Sequence, residues 1–486
     1  MTIEHFDVLI IGAGLSGIGA AHHLQKRCPN QRYAILEGRD SIGGTWDLFR
    51  YPGVRSDSDM YTLGYSFRPW EQPKAIADGP SILKYVQDAA HEGGIDRHIR
   101  FGHQVKHASW ATADARWTIE AEMGEAKTPV RLSCNFLFMC SGYYSYEAGY
   151  TPDFPGIEKF AGRVVHPQKW TDDIEYANKR VVVIGSGATA VTLLPEIAKK
   201  AAHVTMLQRS PTYVVARPSE DAMANWLRRY VSSKLAYTVT RWKRVLLGMY
   251  IFRLSRQKPE KVKRLLLGGV RMALGPDYDV NKHFLPRYNP WQQRLCLVPD
   301  GDFFYAIKSG SASVVTDQIE AFTETGITLA SGEHLAADLV ITATGLNLQV
   351  LGGLQLTVDG QAVDLAKTLS YKGLMFSGVP NLASSFGYTN ASWTLKCDLT
   401  CEYVCRLLNY MKKRGITHCT PRNTDTSITP EPWVDFSSSY FQRSMHLFPK
   451  QGSRTPWKLY QNYPRDIMLL RYGKVNDGVL EFCRPR

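Results

Sequence analysis

The sequence predicts an α/β protein made of two Rossmann-like dinucleotide-binding domains with a mainly helical insertion. Three observations carry this. A glycine turn stands between an apolar strand and a helix near the N-terminus. The same grammar recurs about 170 residues later. A basic stretch of helical character follows the second unit as an insertion.

In the first unit, Phe6–Ile11 is an apolar run with little alternation, as expected of a strand buried on both faces. Gly12-Ala13-Gly14-Leu15-Ser16-Gly17 follows, then a helical stretch to about Lys26 and a strand, Tyr33–Glu37. In such a turn the first glycine lets the chain reverse. The second, Gly14, lets backbone approach a pyrophosphate, and the third, Gly17, lets helix and strand pack closely. The helix N-terminus offers free N–H groups to the phosphates. Glu37 lies 20 residues after Gly17, where a carboxylate can bind both hydroxyls of an unphosphorylated adenosine ribose, as in FAD or NAD.

The second unit reads Val181–Ile184, then Gly185-Ser186-Gly187-Ala188-Thr189-Ala190, a helix to about Lys200, and a strand, Val204–Gln208. This strand ends on Gln208-Arg209-Ser210 rather than on an acid. A cation such as Arg209 suits a 2′-phosphate, which favours NADP. One G-x-G-x-x-G is a weak signal. Two, each between a buried strand and a helix and with opposite charges at the second strand ends, are a strong one. FAD in one domain and NADPH in the other implies hydride passing from nicotinamide to flavin.

Each half has a later strand that closes on glycine: Phe136–Ser141 before Gly142, and Leu339–Thr344 before Gly345. Domain crossings are expected just after both. Residues 1–145 then begin the FAD domain. Residues 146–346 form the NADPH domain, with a helical insertion at 218–285. Residues 347–486 return to the FAD domain, and the stretch after about 425 is expected to wrap the surface.

Composition narrows the function classes. The 486 residues carry a net charge of +13, but residues 222–271 hold 13 Lys and Arg against one acid, Glu260, so the remainder is almost neutral. A nucleic-acid partner for the whole chain loses its main support. The basic segment interleaves Trp226, Tyr230, Leu235, Trp242 and Tyr250 with its cations. That suits helices packed over an active site, or an amphipathic surface in peripheral contact with anionic lipid. No signal peptide or apolar run of membrane-spanning length is present, so a cytoplasmic, reduced enzyme is expected. A disulfide reductase would need a cysteine pair soon after the first unit, and none lies between Cys28 and Cys134. Cys397, Cys401 and Cys405 share one helical face and read as a buried small-residue stripe rather than a metal cluster. No metal is expected.

Further motifs name a family. Phe160, Gly162, His166 and Trp170 fit the pattern F-x-G-x-x-x-H-x-x-x-W. Gly43-Gly44-Thr45-Trp46, Tyr51-Pro52-Gly53, Asp57 and Ala343-Thr344-Gly345 accompany it. On these residues the chain resembles the type I Baeyer–Villiger monooxygenases. It is most similar to their ethionamide-activating branch, through GGTWDLFRYPGVRSDSDMYTLG, YNPWQQRLCLVPDGD, GYTNASWTLK and KQGSRTPW. One departure is Thr171, where the family usually has Pro or Asp; it blurs the distinction from N- and S-oxygenating flavin-containing monooxygenases without ketone activity.

The resemblance implies FAD, NADPH and O2. A C4a-peroxyflavin attacks a ketone carbonyl, and the adduct rearranges to an ester or lactone, with sulfides and thioamides as further substrates. Arg294 matches the family's active-site arginine and Asp57 the acid that orients it. A permanently charged guanidinium meets developing negative charge without reorganisation. Gly44, Thr45, Trp46 and Asp57 are expected along the flavin. Gly387–Trp393, with Asn390, is expected to lead into a helix whose N-terminus faces the isoalloxazine. Gln293 stands where the family often has a lysine for the NADP phosphate. Gly185, Gly187, Thr189, Gln208, Arg209 and Ser210 must then carry NADPH binding. His166 and Trp170 are assigned a conformational role at the domain junction.

Overall fold

The structure, a computed structural model, describes residues 3–485. β1 (Glu4–Ile11) leads through the first glycine turn into α1 (Leu15–Arg27) and returns as β2 (Tyr33–Leu36). β3 (Thr128–Met139) lies parallel to β1 on its other side, with Leu9 opposite Leu137. The β1 run lacks alternation because each face is buried in a different core. Val8 and Ile10 point into one, toward α1, while Phe6, Leu9 and Ile11 point into another, with Trp110 and Trp117.

The second unit repeats this logic. β4 (Arg180–Ile184) runs through the second glycine turn into α2 (Ala188–Ile197) and β5 (His203–Gln208). Val181 and Val183 enter one core, Val182 and Ile184 another. Next come two long helices, α3 (Ser233–Gln257) and α4 (Pro259–Leu274), and then β6 (Leu339–Thr342). The sheet is five-stranded and parallel, ordered 312–316, β5, β4, β6, 163–165.

The nine-stranded first sheet is mixed. Strands from far along the chain join it: 355–358 pairs with 103–111, and 382–384 pairs with β3. α5 (Trp393–Arg414) then packs on α1 and buries Cys397, Cys401 and Cys405 as a stripe. The two connections between the sheets run together, Tyr144–Gly149 pairing antiparallel with Leu346–Leu348.

Helices α3 and α4 belong to a helical excursion between strands 214–217 and 296–299, which pair with each other. Tyr237 joins the core around α1, and Leu267 and Val270 join the core around α2, so the excursion is pinned to both halves. The stretch after 425 does more than wrap the surface. Trp433, Phe436, Phe441 and Phe448 are buried in the core beneath the first sheet, and Trp457 in the core around α1. Periodicity concealed this, because short irregular pieces can place large aromatic side chains without repeating them.

Candidate active site

The two glycine turns open into one cavity of about 1250 Å3. At the first, Gly12 has φ +105°, and a Cβ there would meet the Cys140 carbonyl oxygen at 2.7 Å. Gly14 caps α1 and faces Gly44, whose φ is +56°. A Cβ on Gly44 would approach Gly14 Cα to 3.1 Å, so backbone from two segments forms a cradle with no room for side chains. Gly17 is not on the wall: its Cβ would fall 1.9 Å from the Gly12 carbonyl oxygen, which makes it the close-packing glycine. Glu37 closes the cradle. One carboxylate oxygen accepts from Ala13 N–H at 2.7 Å, the other from Arg39 N–H at 3.0 Å. Burial pushes its pKa up, and the two N–H donors oppose that shift. Each oxygen keeps a lone pair for a ligand hydroxyl. Bare backbone N–H groups at a helix start beside a fixed carboxylate fit an adenine dinucleotide.

The second turn is built alike. Gly185 has φ +135°, and its Cβ would sit 2.3 Å from the Ala343 carbonyl oxygen. Nothing lies within 4 Å of a Cβ on Gly187, which opens to the cavity with Thr189. Arg209 and Ser210 are exposed at its rim. Gln208 departs from the sequence expectation. It ends β5 with its side chain turned inward, donating to His283 O at 2.7 Å and Thr316 Oγ1 at 2.9 Å, and it does not reach the cavity. Gln293 does reach it.

Thr45, Trp46, Asp57 and Arg294 line the same cavity. Arg294 Nε stands 3.0 Å from Asp57 Oδ2. About a third of each side chain stays open, Arg294 at 35% and Asp57 at 28%, toward the cavity they line. The Asp57 carboxylate raises the Arg294 pKa, burial opposes it, and the phenols of Tyr143, Tyr440 and Tyr144 add to the rise. The Arg294 loop is fixed from the far end of the chain, because the Gln292 carbonyl accepts from Ser437 N–H at 2.9 Å. Tyr143 and Tyr144 share a hydroxyl contact of 2.9 Å, and Tyr143 stacks on Trp393 at 5.1 Å. Sequence reading missed these tyrosines, and also Arg443, whose guanidinium lies 3.5 Å over the Tyr150 ring on the same wall.

α5 begins at Trp393, on the cavity wall, as expected of the stretch after Gly387. Asn390 is off the wall; its amide donates to Gln461 O at 3.0 Å. The fingerprint residues are also off it, and among them His166 reaches the crossing at Gly345. His166 Nε2 contacts Gly345 O at 3.0 Å, and Nδ1 accepts from Gln168 N–H at 3.2 Å. Those two partners fix a neutral ring protonated on Nε2. Phe160 is buried against Phe322, Gly162 lies under Asp338 O, and Trp170 meets Tyr176.

Residues 7–242 match the model of the flavin-binding monooxygenase-like family. The FAD-containing monooxygenase EthA of Mycobacterium tuberculosis is 55% identical over 482 residues, 99% of this chain and 98% of that protein. The chain belongs to the EthA-type FAD-containing monooxygenases. Like others of this type it is a flavoprotein oxidoreductase, and its cofactor is FAD. Its fold is shared with a steroid monooxygenase bound to NADP, at TM-score 0.77 and 21% identity, covering 99% of this chain and 100% of that one. It is shared as well with OTEMO in complex with FAD and NADP, at TM-score 0.71 and 24% identity, covering 86% of this chain and 88% of that one. This EthA-type chain has no helix long and apolar enough to cross a membrane among its described residues.

Proposed function

We propose that this monooxygenase inserts one oxygen atom of O2 beside a ketone carbonyl to give an ester or lactone, and that it also oxidises sulfides and thioamides. NADPH supplies the two electrons, and the second oxygen atom leaves as water. The observation that carries this reading is the Arg294–Asp57 pair, 3.0 Å apart, in the cavity onto which both glycine turns open.

Bound flavin supplies the oxygen-activating chemistry; the chain supplies the setting. Gly12, Gly14, Gly44 and Glu37 hold the FAD pyrophosphate and ribose, with Thr45, Trp46 and Asp57 beside its ring system. Gly185, Gly187, Thr189, Arg209 and Ser210 hold NADPH. Arg294 presents a permanent positive charge to the anion that develops at the carbonyl oxygen, and Asp57 keeps that charge aimed and partly compensated. Tyr143, Tyr144 and Tyr440 exclude water around it. Sulfur is itself the nucleophile when oxidised and develops no carbonyl oxyanion, so sulfoxidation leans less on Arg294.

The domain division follows: residues 1–145 and 347–486 for FAD, and 146–346 for NADPH. The test is NADPH consumption and product identification over linear, cyclic and aryl ketones, sulfides and thioamides. Esters or lactones from at least one ketone class are expected. Sulfur oxides alone would replace this reading with that of an S-oxygenating enzyme.

A further inference from the structure

The outward face of α3 is apolar, the reverse of an ordinary surface helix. Leu235, Val239, Trp242, Leu246 and Tyr250 are 40% to 63% exposed. At about 100° per residue they fall within roughly 80° of arc and form one stripe about 22 Å long. The buried residues of the same helix, among them Ala236, Tyr237, Thr240 and Arg241, point the opposite way. The helix cannot roll to hide the stripe. Arg241 is buried and donates to the carbonyls of Tyr61 and Gly64, each at 2.8 Å, with Asp398 3.6 Å away.

The neighbouring helices extend this character. Trp226 and Tyr230, just before α3, are 56% and 70% exposed, and Leu265 and Met272 on α4 are 68% and 83% exposed. Scattered exposed apolar residues mean little, but a continuous stripe on a fixed helix marks a contact surface.

Charge decides what it contacts. Of the 13 cations in residues 222–271, four form ion pairs: Arg241, Lys243, Arg244 and Arg256. The other nine have no carboxylate within 4.0 Å among the described residues, and Lys234, Arg253, Lys258, Lys261, Arg264 and Arg271 are exposed. A second copy docked through this face would set like charge against like charge. An anionic lipid surface takes both components, accepting the apolar stripe among its acyl chains while the flanking Lys and Arg reach its headgroups. We propose that the α3–α4 face docks this monooxygenase on anionic membrane.

The test is co-sedimentation of the full-length holoenzyme with phosphatidylglycerol vesicles and with phosphatidylcholine vesicles. Binding to the former is expected, weakening as salt rises, with little binding to the latter. The triple variant Leu235→Ser, Leu246→Ser, Tyr250→Ser should lose at least about tenfold in vesicle affinity. Its melting temperature and NADPH turnover in solution should stay unchanged, since none of the three lines the cavity. A second variant, Lys261→Glu with Arg264→Glu, should lose phosphatidylglycerol binding while keeping its fold. The proposal fails if the wild type does not pellet with phosphatidylglycerol even at low salt, or if the triple variant binds as the wild type does. A solution dimer that the triple variant dissociates, without vesicle binding, assigns the face to a second copy instead.

Discussion

Arg294 Nε lies 3.0 Å from Asp57 Oδ2, though 237 positions separate them in the chain. Asp57 comes from the loop after the first unit, Arg294 from the strand entry that follows the helical excursion. The pair therefore ties the segment after the first glycine turn to the one that follows the helical excursion. Its carboxylate is the largest cause of the raised Arg294 pKa.

Arg294→Ala should reduce ester formation by about 10²–10³-fold, the usual cost of removing one preorganised oxyanion partner. Flavin reduction by NADPH should survive, because hydride transfer does not need that charge. Asp57→Ala should also lower ester formation, since it leaves a cation uncompensated and free to turn. Anaerobic stopped-flow spectra and chromatography of products separate the two half-reactions. Wild-type ester yield from Arg294→Ala would sink the assignment.

Glu37 takes two backbone N–H groups and, in the proposed complex, the ribose hydroxyls. Glu37→Gln turns one acceptor into a donor facing another N–H. Hydrogen bonds to a charged group contribute about 1.5–3 kcal/mol, so FAD affinity should fall roughly 10- to 150-fold. Titration of the apoprotein with FAD measures this. Unchanged affinity would place the ribose elsewhere.

The parts of the site legible in the sequence are those written as local spacing. Gly12 to Gly17, Glu37 and the second turn each lie within one βαβ unit, where backbone geometry dictates the residue type. Tyr143, Tyr440 and Arg443 were not legible, because the fold brings them together from the bend before a crossing strand and from a short late helix, Ser439–Ser444, and no pattern links them. Gln208 was misplaced for a subtler reason. Successive side chains on a strand alternate, and its neighbour Arg209 faces the rim while Gln208 faces inward to His283 and Thr316. The fold class needed only the buried strands, whose unbroken apolar runs follow from having a core on each face.

Arg209 stands at the cavity rim with Gln293 also on the wall, and the wall's lysine, Lys106, belongs to the 103–111 strand of the first sheet. Arg209→Ala should raise the KM for NADPH about tenfold or more, in line with loss of a charge-assisted phosphate contact, while NADH is little affected. Gln293→Lys should shift preference further toward NADPH. Initial rates with both nucleotides give the ratio directly. Equal losses with NADH and NADPH would mean that Arg209 does not read the 2′-phosphate.

His166 ties the junction together and should make it sensitive to acid. Its Nδ1 accepts from Gln168 N–H while Nε2 serves Gly345 O, so the ring is held neutral. Burial lowers its pKa below the usual 6.5, and the Gly345 carbonyl only partly offsets this. The folded state thus disfavours the protonated ring. Between the folded and unfolded pKa values the unfolded chain binds more protons, so stability rises with pH. This contribution is complete above about pH 6.5 and is lost as pH falls toward the folded value. His5, His22, His98, His283 and His418 are lowered too, so the wild type keeps other acid-sensitive contributions. His166→Asn should remove its own share: a lower melting temperature at pH 7.5, but a smaller further drop on going to pH 5.5. Gly149→Ala tests the same contact from the other strand, since its Cβ would lie 1.9 Å from His166 Cε1. Such overpacking costs about 1–3 kcal/mol and displaces the ring. If both variants melt with the wild-type pH profile, His166 does not hold the junction.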